Sequence, residues 1–491
     1  MTGITGESAP PALAESAASP LVGEAGQAAQ LGRVRFRRFA VAVISCVLAG
    51  SVLVACSSGG GVSPPSSSTA SSAAALPDAG TPAGAQLAWL LTATSHLPIL
   101  AASLRAHFDA SFLAQISPAK LNQAFRTVGA VEVASVVVSQ PRKFVATVGT
   151  GAGRLQMTLV VDAQGRISSL GFGPVILQAP TTWAGVDAAV RSAAPQVRLL
   201  VAEVTNGSCR PVHSIDPSTP APLGSAFKLY VLDALARAVA VGKVSWTQPL
   251  TVTAQLKSLP SGQLQTEPDR TKVSVQEAAA KMISISDNTA ADMLINLVGR
   301  PTVEAALTTA GMADPARDQP FLTTRELFTL KLDHWPALAD RYLAASQAGR
   351  GALLATVVDR APLPPVTAAT GWTTPRDINS IEWFASANDI CHVYASLAAL
   401  ARRPGLSPVA GVLQINDGGL GLNPAEWKTT WFKGGSEPGV LTLTYMATTR
   451  TGHSYVVAVL ADKPSAPINE AAAVPAMLSA VKGAFTLAAH G

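Results

Sequence analysis

Pro222-Leu223-Gly224-Ser225-Ala226-Phe227-Lys228-Leu229-Tyr230-Val231-Leu232 opens an apolar, helix-periodic run that continues to about Val241, and Gly242 stands where a helix would stop. Ser225 falls in the first turn, and Lys228, three residues on, shares its face. A hydroxyl is a weak nucleophile at neutral pH, and a buried lysine with a lowered pKa is a base that can activate it. The helix N-terminus adds backbone N–H groups that suit a developing oxyanion. On its own S-x-x-K also fits a capped, solvated helix start, so its meaning depends on what surrounds it.

Downstream, Ser274-Val275-Gln276-Glu277 reads as a capping box that opens a helix over Ala278–Ile285. That helix ends at Ser286-Asp287-Asn288, residue types that also favour an ordinary helix–helix turn, and a new helix starts at Thr289. Trp431-Phe432-Lys433-Gly434-Gly435-Ser436 is a strand-like approach to a lysine. Strands over Val440–Met446 and Tyr455–Leu460 follow, then a helix from about Asn469 to Leu487. Upstream, a helix over 181–191, a strand over Val197–Val204, a turn at Asn206-Gly207 and a return strand over Cys209–Ile215 lead into Ser225.

With 491 residues the chain exceeds one ordinary core, so at least two domains are expected. Apolar residues form 48%, ample for globular folding. The net charge is +5, but Arg33, Arg35, Arg37 and Arg38 are clustered and the remainder is nearly balanced. No basic patch interleaves with aromatics, so nucleic acid is not indicated. The arginines precede the apolar run Phe39–Ala55, the pattern of an export signal. It ends in Leu53-Val54-Ala55-Cys56, which resembles the bacterial lipobox and so implies lipidation of Cys56 and anchoring at the outer face of the cytoplasmic membrane. Residues 1–56 are then leader and signal, and 57–84 a flexible Ser/Gly/Pro linker. There is no C-x-x-C and no histidine cluster at ligand spacing, so neither metal nor cofactor is expected. Cys209 and Cys391 either pair, as an exported protein permits, or remain apart.

Residues 85–178 read as a small α+β domain. Helical patterns over Gln86–Thr94, Leu100–Phe112 and Pro118–Phe125 come first. Strands over Val131–Val138, Phe144–Val148 and Leu155–Val161 follow, then a turn at Asp162-Ala163-Gln164-Gly165 and a strand over Ile167–Phe172. The order is similar to the cone-shaped folds of nuclear transport factor 2 (NTF2) and ketosteroid isomerase. With no acid–tyrosine constellation to carry over, a structural or docking role is expected.

S-x-x-K, S-D-N and a K-x-G strand, in this order, resemble the three motifs of class A β-lactamases and penicillin-binding proteins. The resemblance covers residues 181–488, and with the lipobox the whole chain resembles an actinobacterial β-lactamase-like lipoprotein. It implies an α+β fold: an antiparallel sheet with flanking helices, an all-helical half, and a cleft between them. It also implies roles: Ser225 as acylated nucleophile, Lys228 as its base, Ser286 as proton relay, Lys433 as electrostatic support, Asn288 as a hydrogen-bond partner of the substrate amide, and the N–H groups of Ser225 and Ser436 as oxyanion hole.

The chain departs from that pattern in three places. Gly434 replaces the threonine whose hydroxyl helps to hold a substrate carboxylate, leaving Ser436 as a substitute. Ser286 and Lys433 stand 147 residues apart, with the excess in roughly 313–380. No E-x-x-L-N supplies the glutamate that activates the deacylating water; Glu326 and Glu382 are the nearest carboxylates, each expected to be a helix-start or surface group. The expected activity is therefore a membrane-anchored serine hydrolase acylated by a β-lactam, ester or related amide. Slow turnover, D-alanyl peptide processing, or a non-catalytic cell-wall ligand-binding lipoprotein are the alternatives.

Overall fold

The structure, a computed structural model, describes residues 76–491 except positions 152, 174 and 176. The export signal, Cys56 and most of the linker lie outside the described residues. Helix α1 (Pro82–Thr94) begins just before the boundary expected at 85; Thr81 caps it by accepting from Gly84 N–H, and Pro82 takes the first position, where no N–H is needed.

Helices α2 (Ala101–His107), α3 (Ala110–Gln115) and α4 (Pro118–Val128) follow. The single helix expected over 100–112 is broken at Phe108, which adopts an extended conformation and bridges to Ile167, while Asp109 caps the next helix. Strands β1 (Glu132–Gln140), β2 (Lys143–Thr150), β3 (Gly153–Val161) and β4 (Ile167–Gly173) form an antiparallel meander in chain order. Phe144 lies opposite Leu159 and Ala146 opposite Met157, so one face carries an apolar stripe. With Leu87, Leu90, Leu104, Phe112 and Phe125 of the helices, these residues are buried. Large side chains thus fill the helix–sheet interior of this small domain.

In the larger region, α5 (Trp183–Arg191), β5 (Gln196–Thr205), β6 (Ser208–Ile215) and the short β7 (Ala221–Pro222) lead through a 3-10 turn, Gly224–Phe227, into α6 (Lys228–Ala240). Strands β8 (Pro249–Thr251) and β9 (Lys272–Ser274) pair with each other, and α7 (Val275–Ser284), α8 (Asn288–Val298) and α9 (Arg300–Thr309) follow. Ser274 caps α7 through Glu277 N–H. Residues 313–380 hold α10 (Thr324–Leu332), α11 (Ala337–Ala344), α12 (Gln347–Leu353) and α13 (Val366–Thr370). The chain returns through β10 (Phe384–Ala385), α14 (Ala387–Ala401) and α15 (Pro408–Leu413). Strands β11 (Trp427–Glu437), β12 (Val440–Thr449) and β13 (Ser454–Asp462) and helix α16 (Glu470–His490) complete it.

Five strands form one antiparallel sheet in the order β11-β12-β13-β5-β6. Alternate residues face opposite cores: Leu199, Val201, Val457 and Val459 pack with α5 and α16, whereas Leu200, Ala202, Ala458 and Leu460 pack with α6, α7, α8 and α14. Covering both faces explains why β5 and β13 are almost continuously apolar in sequence. Each buried Leu or Val contributes about 1.5–3 kcal/mol relative to exposure. Helix α6 is buried along most of its length, so it is a fixed post at the centre of the helical half. Its Asp233 accepts from Arg237 and from Ser396 of α14, which ties the two helices.

Candidate active site

Ser225 is placed from both sides. Ala221 and Pro222 pair with Ala385 and Phe384, and Leu223 N–H donates to Trp383 O at 2.9 Å. Phe227 stacks on Trp383, centroids 3.7 Å apart. Ser225 and Lys228 span the 3-10 turn, where residues three apart eclipse, and Lys228 Nζ lies 3.1 Å from Ser225 Oγ.

Lys228 is fully buried. Its ammonium faces Ser286 O at 2.7 Å, Ser286 Oγ at 3.1 Å and Asn288 Oδ1 at 2.5 Å. Burial, reinforced by the neighbouring charge of Lys433, holds its pKa well below the ordinary lysine range. A lysine so placed can be neutral at working pH and accept the Ser225 proton.

Ser286 has a left-handed backbone, φ 57°, uncommon for a residue other than glycine. It is over-determined by its neighbours: Ser261 Oγ donates to its carbonyl, and Asp287 caps α8 through Ala290 N–H and also accepts from Gln263 and Leu264 N–H. Lys433 Nζ reaches Ser286 Oγ at 3.2 Å and Gly434 O at 2.6 Å, and burial lowers its pKa to about 7. The hydroxyl of Ser286 thus sits between two lysines. Asn288 is buried; besides accepting from Lys228, it donates through Nδ2 to Leu259 O, leaving one amide hydrogen for any substrate.

The strand carrying Lys433 crosses close over the Ser225 turn. A Cβ at Gly435 would stand 2.2 Å from Leu223 O and 2.5 Å from Ser225 N, so only glycine allows this approach. A Cβ on Gly224, itself at φ 50°, would meet Ser436 N at 2.9 Å. The backbone nitrogens proposed as oxyanion hole are therefore close neighbours.

Neither carboxylate nominated from sequence hydrogen-bonds to Ser225 or Lys228. Glu326 forms the capping box of α10 with Thr323 and an ion pair with Arg300 at 2.6 Å, a helix-start group as expected. Glu382 is not a surface group: it is buried and accepts from Gly224 and Trp383 N–H at 3.2 and 2.9 Å. It shares a hydrogen bond with Glu437, whose pKa burial pushes well above the carboxylate range. Buried Lys331 meets Glu437 at 2.5 Å. Spacing gave no hint of this triad, which links α10, β11 and the Ser225 turn. Among the described residues, no group of three or more His, Cys, Asp or Glu side chains is arranged to hold a metal.

An antiparallel sheet beside a helical half, with serine–lysine turn, S-D-N loop and lysine strand converging, defines a β-lactamase/transpeptidase-like fold. In agreement, residues 183–377 match the sequence model of the β-lactamase enzyme family, and residues 78–167 match that of the ORF 12 gene product N-terminal region. The chain is therefore β-lactamase-like through the region that carries Ser225. Among solved structures, a β-lactamase from Sphaerobacter thermophilus is 20% identical with a TM-score of 0.44, and covers 63% of this chain and 98% of its own. PBP-A is 17% identical with a TM-score of 0.41, over 64% of this chain and 99% of its own. A β-lactamase from Chitinophaga pinensis is 17% identical with a TM-score of 0.42, over 63% and 98%. No curated protein matches the chain.

Proposed function

We propose that this protein is an exported, lipid-anchored serine hydrolase that is acylated on Ser225. One observation carries the reading: Lys228, buried and lowered in pKa, stands 3.1 Å from Ser225 Oγ and also contacts Ser286. In the reaction, Ser225 Oγ bonds to the acyl carbon of a β-lactam, ester or amide as its proton passes to Lys228. The C–N or C–O bond then breaks, and Ser286 relays a proton to the leaving atom under the field of Lys433. Lipid on Cys56 would hold the enzyme at the outer face of the membrane, and the small NTF2-like domain would serve as spacer or docking unit.

The four partners of Lys228 among the described residues are two serines, a carbonyl and an amide, with no carboxylate. That favours a second reading for turnover: a slowly released acyl-enzyme, as in penicillin-binding proteins. Incubation with a chromogenic cephalosporin, a fluorescent penicillin and an activated p-nitrophenyl ester, followed by intact-mass measurement, tests both. A Ser225 adduct absent from Ser225→Ala supports the hydrolase, and its lifetime decides between fast and slow release. Wild type and Ser225→Ala behaving alike with every probe would exclude it.

A further inference from the structure

The end of β11 beyond Lys433 shows which substrates suit the site, given the Ser225 reading above. A site for an anionic acyl donor needs accessible positive charge or free hydroxyls beside the oxyanion hole. Here Lys433 is 2% exposed, with its ammonium against Ser286 Oγ and Gly434 O. Its pKa near 7 leaves it only partly protonated at neutral pH. Gly434 offers no hydroxyl, and the place where its side chain would start is closed: a Cβ there meets the Phe432 ring at 2.8 Å. Phe432 and Gly434 share a face of the strand, so this face presents an aromatic edge. The adjacent strand β12, Val440–Thr449, carries no charged side chain. Lys331 is engaged by Glu437, and Arg376 donates to Lys331 O while lying over the Trp335 ring. The hydroxyl that remains, Ser436, is hydrogen-bonded to the carboxyl group of Glu470 at the start of α16.

We propose that the Ser225 site selects acyl donors with no carboxylate beside the scissile bond, uncharged esters or uncharged lactams, because Phe432 and Gly434 remove the anion-holding hydroxyl and Glu470 sets a carboxyl group against Ser436. Phe432 gives apolar contact to the leaving side of such a substrate. Glu470 repels an anion placed there.

Benzylpenicillin and its methyl ester isolate the effect, since they share one lactam and differ in one charge. Acylation of Ser225 is followed by intact mass in wild type, Ser225→Ala and Glu470→Gln, with an activated p-nitrophenyl ester as a second uncharged probe. The methyl ester is expected to acylate at least about tenfold faster than the free acid, and Glu470→Gln to narrow the ratio by about threefold to tenfold, chiefly by speeding the free acid. Gly434 is left unchanged because the Phe432 ring occupies the space. Free acid acylating Ser225 as fast as the ester, or a ratio untouched by Glu470→Gln, overturns the selectivity while leaving the serine hydrolase intact. Absence of any Ser225 adduct, the p-nitrophenyl ester included, removes the hydrolase itself.

Discussion

Two lysines converge on one hydroxyl, Ser286 Oγ, at 3.1 and 3.2 Å, and they need opposite protonation states. Lys228 must be neutral to accept the Ser225 proton, whereas Lys433 assists proton relay only as a cation. Activity therefore rises as pH climbs through the lowered pKa of Lys228 and falls as it passes about 7, where Lys433 loses its proton. Acylation measured against pH should give a bell whose alkaline limb lies near neutrality. Lys433→Arg, which stays charged, should move that limb upward by more than about two pH units at a reduced plateau. An unmoved limb would assign it to another group. Stability runs the other way: between about 7 and the ordinary lysine value the unfolded chain binds the extra proton, so burial of Lys433 destabilises least at high pH. The positions of Ser225, Lys228, Ser286 and Lys433 were legible because each lies in a local motif whose spacing a turn or strand enforces. Lys331, Glu382 and Glu437 were not, because only tertiary packing brings together residues 106 apart and more.

At the scale of elements, the contact that matters is β11 against the 3-10 turn. Strand and turn were both visible as patterns, but the Gly434-Gly435 pair read as a loss of the threonine hydroxyl. Its second glycine has a different purpose: it lets the strand backbone approach Leu223 and Ser225 to distances that a Cβ would fill. Gly435→Ala should push the strand away from the turn and open the oxyanion hole. Acylation should fall about 100-fold or more, the cost of losing one such donor, while the far-UV spectrum is retained. A loss smaller than about threefold would mean that the Ser436 N–H does not serve the oxyanion. The helix expected over 100–112 shows the complementary limit. Its apolar pattern continues through Phe108, yet Asp109 offers a cap to a new helix and Phe108 gains a bridge to β4. Competition between propagation and capping was decided by a partner sixty residues away, which periodicity does not record.

For the whole molecule, α14 holds the two halves of the larger region in register. Cys391 on it pairs with Cys209 of β6, resolving a choice that sequence left open because the two are 182 residues apart. One turn on, Tyr394 OH donates to Thr444 O of β12, whose Oγ1 in turn donates to Lys433 O. Ser396 donates to Asp233 of α6, the helix that starts at Lys228. A single helix is thus fastened to the sheet edge, to the strand beside Lys433 and to the helix of the nucleophile. The last two fastenings do not depend on the bridge. Cys209→Ala/Cys391→Ala should therefore lower unfolding free energy by about 2–4 kcal/mol, the usual effect of opening a long covalent loop, as read from the urea midpoint. Ser225 acylation at 25 °C should stay within about twofold of wild type, because Tyr394 and Ser396 continue to set Lys433 and Lys228. A collapse of acylation with stability retained would show instead that the bridge itself, and not the hydrogen bonds of α14, positions the site.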